Sequence, residues 1–496
     1  MHLANLFFFY IKYCKIVNYV IKYLHIKILL RRFLMKREKL GSRLGFILLS
    51  AGCAIGVGNV WKFPYITGQY GGAAFVLIYL VFLVILGIPV MTMEFSLGRA
   101  SQKSPVHMYQ QLEKPGHKWH IHGYLAMAGN YLLMMFYTSV AGWLLQYVFY
   151  MITGKFKNGM SSTEISGVFG EMLSKPWILL IFLVIVIALG FTVCALGVQK
   201  GIEKVSKYMM LALLGIMVVL AVRSMFLEGG GEGLKFYLIP DFGKMFADGF
   251  GGFVQVVIAA MNQAFFTLSL GIGSMAIFGS YLDKDRALMG EAVNVTILDT
   301  FVAITAGLII FPACFAYNVE PGAGPPLIFQ TLPNIFANMA GGRIWGTFFF
   351  IFMTFAAFTT VIAVFENIIS MCMDKFGWSR KKACLINGIA MVFLALPCML
   401  GFNVLSGFTP LGDGTGVLDL EDYIVSNILL PVGSLIMVLF CNFKFGWGFD
   451  KFKEEANTGK GIKVANWMKY YFRYVLPIII GVILVCGVIS PFVDFI

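Results

Sequence analysis

The chain has 496 residues, 59% of them hydrophobic and 13% charged, with a mean hydropathy of +0.82; soluble proteins carry about 25% charged residues, so this is a polytopic membrane protein. Its formal net charge of +13 does not gather in one stripe, as a nucleic-acid surface would require, but falls in alternate short loops, the positive-inside pattern. Nine cysteines lie mostly in apolar segments without a CxxC pair or His/Cys spacing for zinc, which indicates neither a disulfide framework nor a metal centre of that kind.

Residues 1–34 mix Phe, Tyr, Ile and Lys at short intervals, lack a small-residue cleavage site and are too often charged for a comfortable span. They read as an early-called start, with Met35 opening the more ordinary MKREKLGSRLG, or as an interfacial amphipathic segment. The next stretch, 44–64 (LGFILLSAGCAIGVGNVWKFP), has a basic flank and the length of a membrane span. Its middle is wrong for a helix: Gly52, Gly56 and Gly58 fall within seven residues and Asn59 follows. Two readings stand. One is a kinked helix packed through small residues; the other is a discontinuous helix whose carbonyls hold a cation and whose half-helix amides hold an anionic group.

Further spans are expected near 74–98, 122–152, 176–194, 204–227, 252–280, 288–317, 344–373, 382–401, 423–443 and 472–493, eleven with the first. Basic residues (Lys103, Lys114, Lys118; Lys200, Lys204, Lys207; Arg380, Lys381, Lys382; the 444–473 connection) mark one side of the membrane, and Asp413, Asp419, Glu421 and Asp422 the other. This places the chain in the cell membrane, inner or plasma, with its amino-terminus in the cytoplasm and its carboxyl-terminus outside. The sixth span, NQAFFTLSLGIGSMAIFGS, is interrupted at Gly271 and Gly273 after polar Thr267 and Ser269. Glycine-broken spans five helices apart predict a 5+5 inverted repeat with a binding site between the halves. The expected organisation is an extension 1–34, a first five-helix repeat 35–230, a second 231–443, and a loop with the eleventh helix at 444–496. No GxxxxGK[ST] loop suggests an ATP-driven pump.

The runs SRLGFILLSAGCAIGVGNVWKFPY, YGGAAF, GIPVMTMEFSLGR, NQAFFTLSLGIG, GPPLIFQTLP and LEDYIVSNILLP, in that order, resemble the neurotransmitter:sodium symporter family over about residues 36–493. The resemblance is to the bacterial amino-acid transporter branch, with its leucine-transporter-like fold of discontinuous helices 1 and 6. It implies one sodium site from Ala54, Asn59, Thr267 and Asp299, completed by a substrate carboxylate. A second sodium site is implied between Gly52, Ile55, Ala356, Thr359 and Thr360, although an intramembrane threonine can also bond back to its own helix. The implied substrate pocket sets a carboxylate against Val57, Gly58 and Tyr137, an ammonium against Ala54, Phe266, Thr267 and Ser269, and a side chain against Leu133, Phe266, Ile272, Thr360 and Val364. The apolar wall predicts a neutral hydrophobic or aromatic amino acid.

Amine-transporting members of the family carry aspartate at the position of Gly56, so its absence favours a substrate that brings its own carboxylate. Chloride-dependent members have asparagine at Asp299 and serine at Ala303; a fixed carboxylate here implies chloride independence, with proton counter-transport on Asp299 as a corollary. The alternative is a chloride held by Tyr79, Gln263 and Thr267. Glu94 is expected to brace unwound backbone. Outer and inner gates are implied by Lys62 with Asp422 and by Arg37 with Asp374, near Ser280 and Tyr281, while Leu40 stands where relatives have tryptophan. The function expected is sodium-coupled import by alternating access, moving two sodium ions with a neutral hydrophobic or aromatic amino acid, a small-molecule partner, through the lipid bilayer; no nucleic-acid partner is expected, and a homodimer is an open assembly. An amino-acid sensor of the same fold is the other reading; a channel lacks a continuous polar path and an enzyme lacks a nucleophile and base.

Overall fold

A computed structural model describes residues 38–246, 249–319 and 325–489; the expectations for 1–34 and Arg37 fall outside them. The chain separates into units Met1–Glu38 and Lys39–Ile496, and the second holds every element that follows. Among the described residues ten helices are long and apolar enough to cross a membrane, and a bent pair, Arg43–Ala54 with Val57–Gln69, makes the eleventh. Spans two to eleven are Ala73–Ser101, His120–Thr153, Pro176–Ala195, Val198–Met225, Gly249–Thr267, Leu288–Ala316, Gly342–Phe376, Arg380–Leu400, Val417–Asn442 and Met468–Ile489. The eleven expected spans stand in their expected order. Short helices between them, among them Pro105–Leu112, Ser162–Leu173, Gly230–Leu238 and Phe449–Ala456, were not anticipated, because eight to twelve residues of mixed polarity do not register as an apolar run.

The third and eighth spans form the central wall and pack along each other. At 34 and 35 residues each is about 50 Å long, well beyond a hydrocarbon core of about 30 Å. Against this wall lie the two interrupted spans. The first bends by 66° where Ile55 and Gly56 turn extended, before a short 3-10 turn Val57–Asn59 and a new helix from Lys62. The sixth ends at Thr267 and resumes at Ser274.

Between those helices Ser269 has φ +51, and Gly271 and Gly273 have φ +104 and +79. Gly271 is required twice over: its φ is left-handed, and a Cβ there would lie 2.2 Å from the Leu430 carbonyl of the tenth span. Unwinding exposes backbone groups that lipid cannot satisfy. Buried side chains take their place: Asn130 Nδ2 donates to the Ile272 carbonyl at 2.8 Å, and Glu94 Oε2 accepts from the Gly271 amide at 3.4 Å.

Candidate substrate and ion site

Both breaks open onto one cavity. Its polar floor is built by Asn59 and Thr267, with Asp299 hydrogen-bonded behind them, three fully buried side chains from three spans. Asn59 Nδ2 donates to Asp299 Oδ1 at 2.9 Å and to Thr267 Oγ1 at 3.0 Å, and Thr267 Oγ1 donates to Asp299 Oδ2 at 3.0 Å. The Asn59 oxygen accepts from the Gly56 amide at 3.2 Å. A half-turn of the Asn59 amide would present that oxygen to the carboxylate and hydroxyl, which gives the hard-oxygen set a small cation requires. A buried carboxylate with no cationic side chain in this triad has the charge to hold one.

A second group of oxygens surrounds the Thr360 hydroxyl. It lies 3.2 Å from the Gly52 carbonyl and 3.4 Å from those of Cys53, Ile55 and Ala356. Three of these carbonyls converge there because the first span has stopped using them for its own helix, and the fourth, Ala356, belongs to the eighth span itself. Thr359 sits beside them but donates to Phe355 and Ala356 of its own helix at 3.1 and 3.0 Å.

The cavity wall above the floor is mostly apolar. Ala54, Val57, Gly58, Leu133, Tyr137, Phe266, Thr267, Ser269, Ile272 and Thr360, all expected at the substrate, line it. Tyr137 Oη accepts from the Val57 amide at 3.3 Å, and Ser269 Oγ reaches the Cys53 carbonyl at 3.5 Å. Val364 is fully buried in the eighth span but is not part of this wall. Sequence reasoning missed Trp61, Phe136, Val140, Leu418, Val425 and Leu430, which are. Two of these were within reach: Leu418 and Val425 stand four before and three after Asp422, on its helical face.

Asp422 and Lys62 both line the cavity, without a direct ion pair between them. Lys62 Nζ stands 4.1 Å from the centre of the Phe266 ring, and Asp422 Oδ1 accepts from Ser426 at 2.7 Å. At the opposite end Asp374 accepts from the Ser104 amide at 2.8 Å and lies 3.8 Å from Lys103 Nζ. Ser280 donates to the Ile277 carbonyl, while the Tyr281 hydroxyl bonds to Glu366 and to Ser370. Glu366, absent from the expected site, is fully buried and held by Arg380 at 2.6 and 3.0 Å; a lone glutamate in an apolar run was the signal for it.

The start of the first span is tied down nearby. Glu203 accepts from the Gly41 amide at 2.6 Å and from Ser42 at 2.8 Å, and Arg43 pairs with Glu291 at 2.9 Å. Of the residues named for an anion, Thr267 is engaged in the triad, and both polar atoms of the buried Gln263 amide lack a hydrogen-bond partner.

The model of the sodium:neurotransmitter symporter family matches residues 37–165 and 164–493. An uncharacterized sodium-dependent transporter of Bacillus subtilis, YhdH, is 34% identical over 89% of this chain and 96% of its own length. A second, from Haemophilus influenzae, is 31% identical over 91% and 98%. The crystal structure of MhsT in complex with L-phenylalanine superposes with a TM-score of 0.80 at 37% identity, covering 91% of this chain and all of that one.

Proposed function

The chain belongs to the sodium:neurotransmitter symporter family and is a sodium-dependent membrane transporter of that family; on this premise we propose that it imports a neutral hydrophobic or aromatic amino acid by alternating access, without chloride. The observation that carries the reading is the continuity of one cavity from Asn59 and Thr267, which hold Asp299 behind them, to the apolar wall of Leu133, Phe136, Val140, Phe266 and Ile272. A zwitterion fits that gradient. Its carboxylate lies against the Val57 and Gly58 amides, the Tyr137 hydroxyl and a sodium ion at the triad, and its ammonium meets the carbonyls of Ala54 and Phe266. Its side chain lies against the wall, where an unpaired charge would cost several kcal/mol. The phenylalanine bound to MhsT is a ligand of this kind.

A second sodium ion belongs at Thr360 with the carbonyls of Gly52, Ile55 and Ala356, and Thr359 beside them. Binding there fixes the halves of the first span against the eighth, so ion occupancy favours one arrangement of the mobile helices. Each sodium moving inward gains about 2.3 kcal/mol per 100 mV of membrane potential. Lys62 with Asp422 closes the outer end, and the ties around Tyr281, Asp374 and the first-span start close the inner end. On this proposal the amino-terminus lies in the cytoplasm and the carboxyl-terminus outside, a reading supported by the basic connections.

The Asp299 carboxylate supplies the fixed negative charge beside sodium, which makes a chloride ion redundant. The unpartnered Gln263 amide favours a second reading, in which an anion or water occupies the space by Tyr79 and Gln263. The test is uptake of labelled phenylalanine, leucine, tryptophan and glycine into proteoliposomes with sodium, potassium and chloride varied singly. Uptake of a hydrophobic amino acid that needs inward sodium and ignores chloride supports the proposal. Chloride stimulation supports the second reading, and binding without uptake makes the chain a sensor.

A further inference from the structure

The fourth and ninth spans, Pro176–Ala195 and Arg380–Leu400, run antiparallel and leave an apolar groove between them. On the fourth span it extends from Val184 to Ala195 and on the ninth from Lys381 to Val392. Twelve residues of helix measure about 18 Å, close to the roughly 15 Å hydrocarbon depth of one leaflet. Small residues open it: Ala188 on one side and Gly388 on the other, where a Cβ would only touch the Phe191 ring at 3.4 Å.

The charged end of the groove distinguishes it from an ordinary lipid-facing surface. Three consecutive cations begin the ninth span. Arg380 is committed to Glu366, and Lys382 lies 5.2 Å from the Trp378 ring. Lys381, between them, stands at the mouth of the groove, exposed, and among the described residues no carboxylate pairs with it. The Thr192 hydroxyl lies one turn deeper on the facing helix than Ala195.

From this we infer that the groove between the fourth and ninth spans is a binding site for an anionic phospholipid of the cytoplasmic leaflet, one acyl chain lying along Ala188 and Gly388 and its phosphate at Lys381. The match of groove length to leaflet depth selects an acyl chain over a short amphiphile. The unpaired ammonium at headgroup level selects an anionic headgroup, as basic pockets between helices on the cytoplasmic side do generally.

The experiment is native mass spectrometry of the full chain released from vesicles of equal phosphatidylglycerol and phosphatidylcholine with identical acyl chains. The expected result is preferential retention of phosphatidylglycerol, weakened about fivefold by K381Q, the worth of one cationic contact. A188F, which fills the groove from the other helix, should reduce retention of that lipid regardless of headgroup, with G388L as an independent plug should A188F fold poorly. Equal retention of the two lipids by the unaltered chain, or retention unmoved by both K381Q and the plugs, overturns the inference. So does a dimer that A188F converts to monomer without any change in bound lipid, since a second copy would then cover the groove.

Discussion

The Tyr137 hydroxyl stands where a side chain on Gly56 would begin: a Cβ at that position would lie 2.6 Å from it. The space proposed for the substrate carboxylate is therefore kept open by leaving a side chain out. Gly56→Asp should abolish amino-acid uptake, because the added carboxylate collides with Tyr137 and repels the substrate carboxylate together. Tyr137→Phe removes a single donor to a charged group, so affinity should fall about tenfold or more while sodium dependence persists. Equilibrium binding of labelled amino acid measures both, and unchanged affinity in Tyr137→Phe would move the carboxylate elsewhere in the cavity.

Asp299→Asn replaces the only carboxylate in the Asn59–Thr267–Asp299 triad by an amide of the same shape. With a fixed charge removed next to the cation, the sodium concentration for half-maximal uptake should rise about tenfold or more. The same variant should gain stimulation by chloride, since an anion then supplies the charge the protein no longer does. Sodium titrations with chloride or gluconate as counter-ion read both effects; wild-type sodium affinity in Asp299→Asn would remove Asp299 from the ion site.

Thr359 and Thr360 are adjacent, and their hydroxyls face different tasks. Thr360 meets carbonyls of two spans, whereas Thr359 donates within its own helix. Thr360→Val should weaken sodium activation more than Thr359→Val, through loss of an oxygen ligand and through buried carbonyls left without a donor, at about 1–3 kcal/mol each. Sodium-activated uptake of the two variants, compared with their thermal stabilities, separates ligand loss from misfolding. Equal effects would mean that both hydroxyls turn to the ion when it binds.

The spans and their breaks were legible because an apolar run of twenty residues and a glycine cluster within it are local signals. The polar triad was legible through the family motifs, each of which holds a residue whose cost in lipid would otherwise be unexplained. The apolar wall was not. Phe136, Val140 and Leu430 are indistinguishable in sequence from residues that face lipid or a neighbouring helix, and Val364, expected at the substrate, is buried elsewhere. The pairing of Glu366 with Arg380 was hidden for another reason: fourteen residues and a turn separate them, and only the packing of the eighth span against the ninth brings them together.

That pair supports the last prediction. Glu366 is fully buried, and its charge is met by Arg380 at 2.6 Å and by the hydroxyls of Tyr281 and Ser370. Through Tyr281 it joins the end of the sixth span to the eighth, at the inner closure proposed above. Arg380→Ala strands the carboxylate and should cost about 3–5 kcal/mol, seen as a lower melting temperature. It should also weaken amino-acid binding, because the closed inner end that favours binding is less populated. Adding Glu366→Gln removes the stranded charge while keeping an acceptor for Tyr281, so the double variant should recover much of the stability and the affinity. If the double variant is as unstable as Arg380→Ala, the loss lies in the packing of the Arg380 side chain and its bond to the Cys194 carbonyl, not in the uncompensated charge.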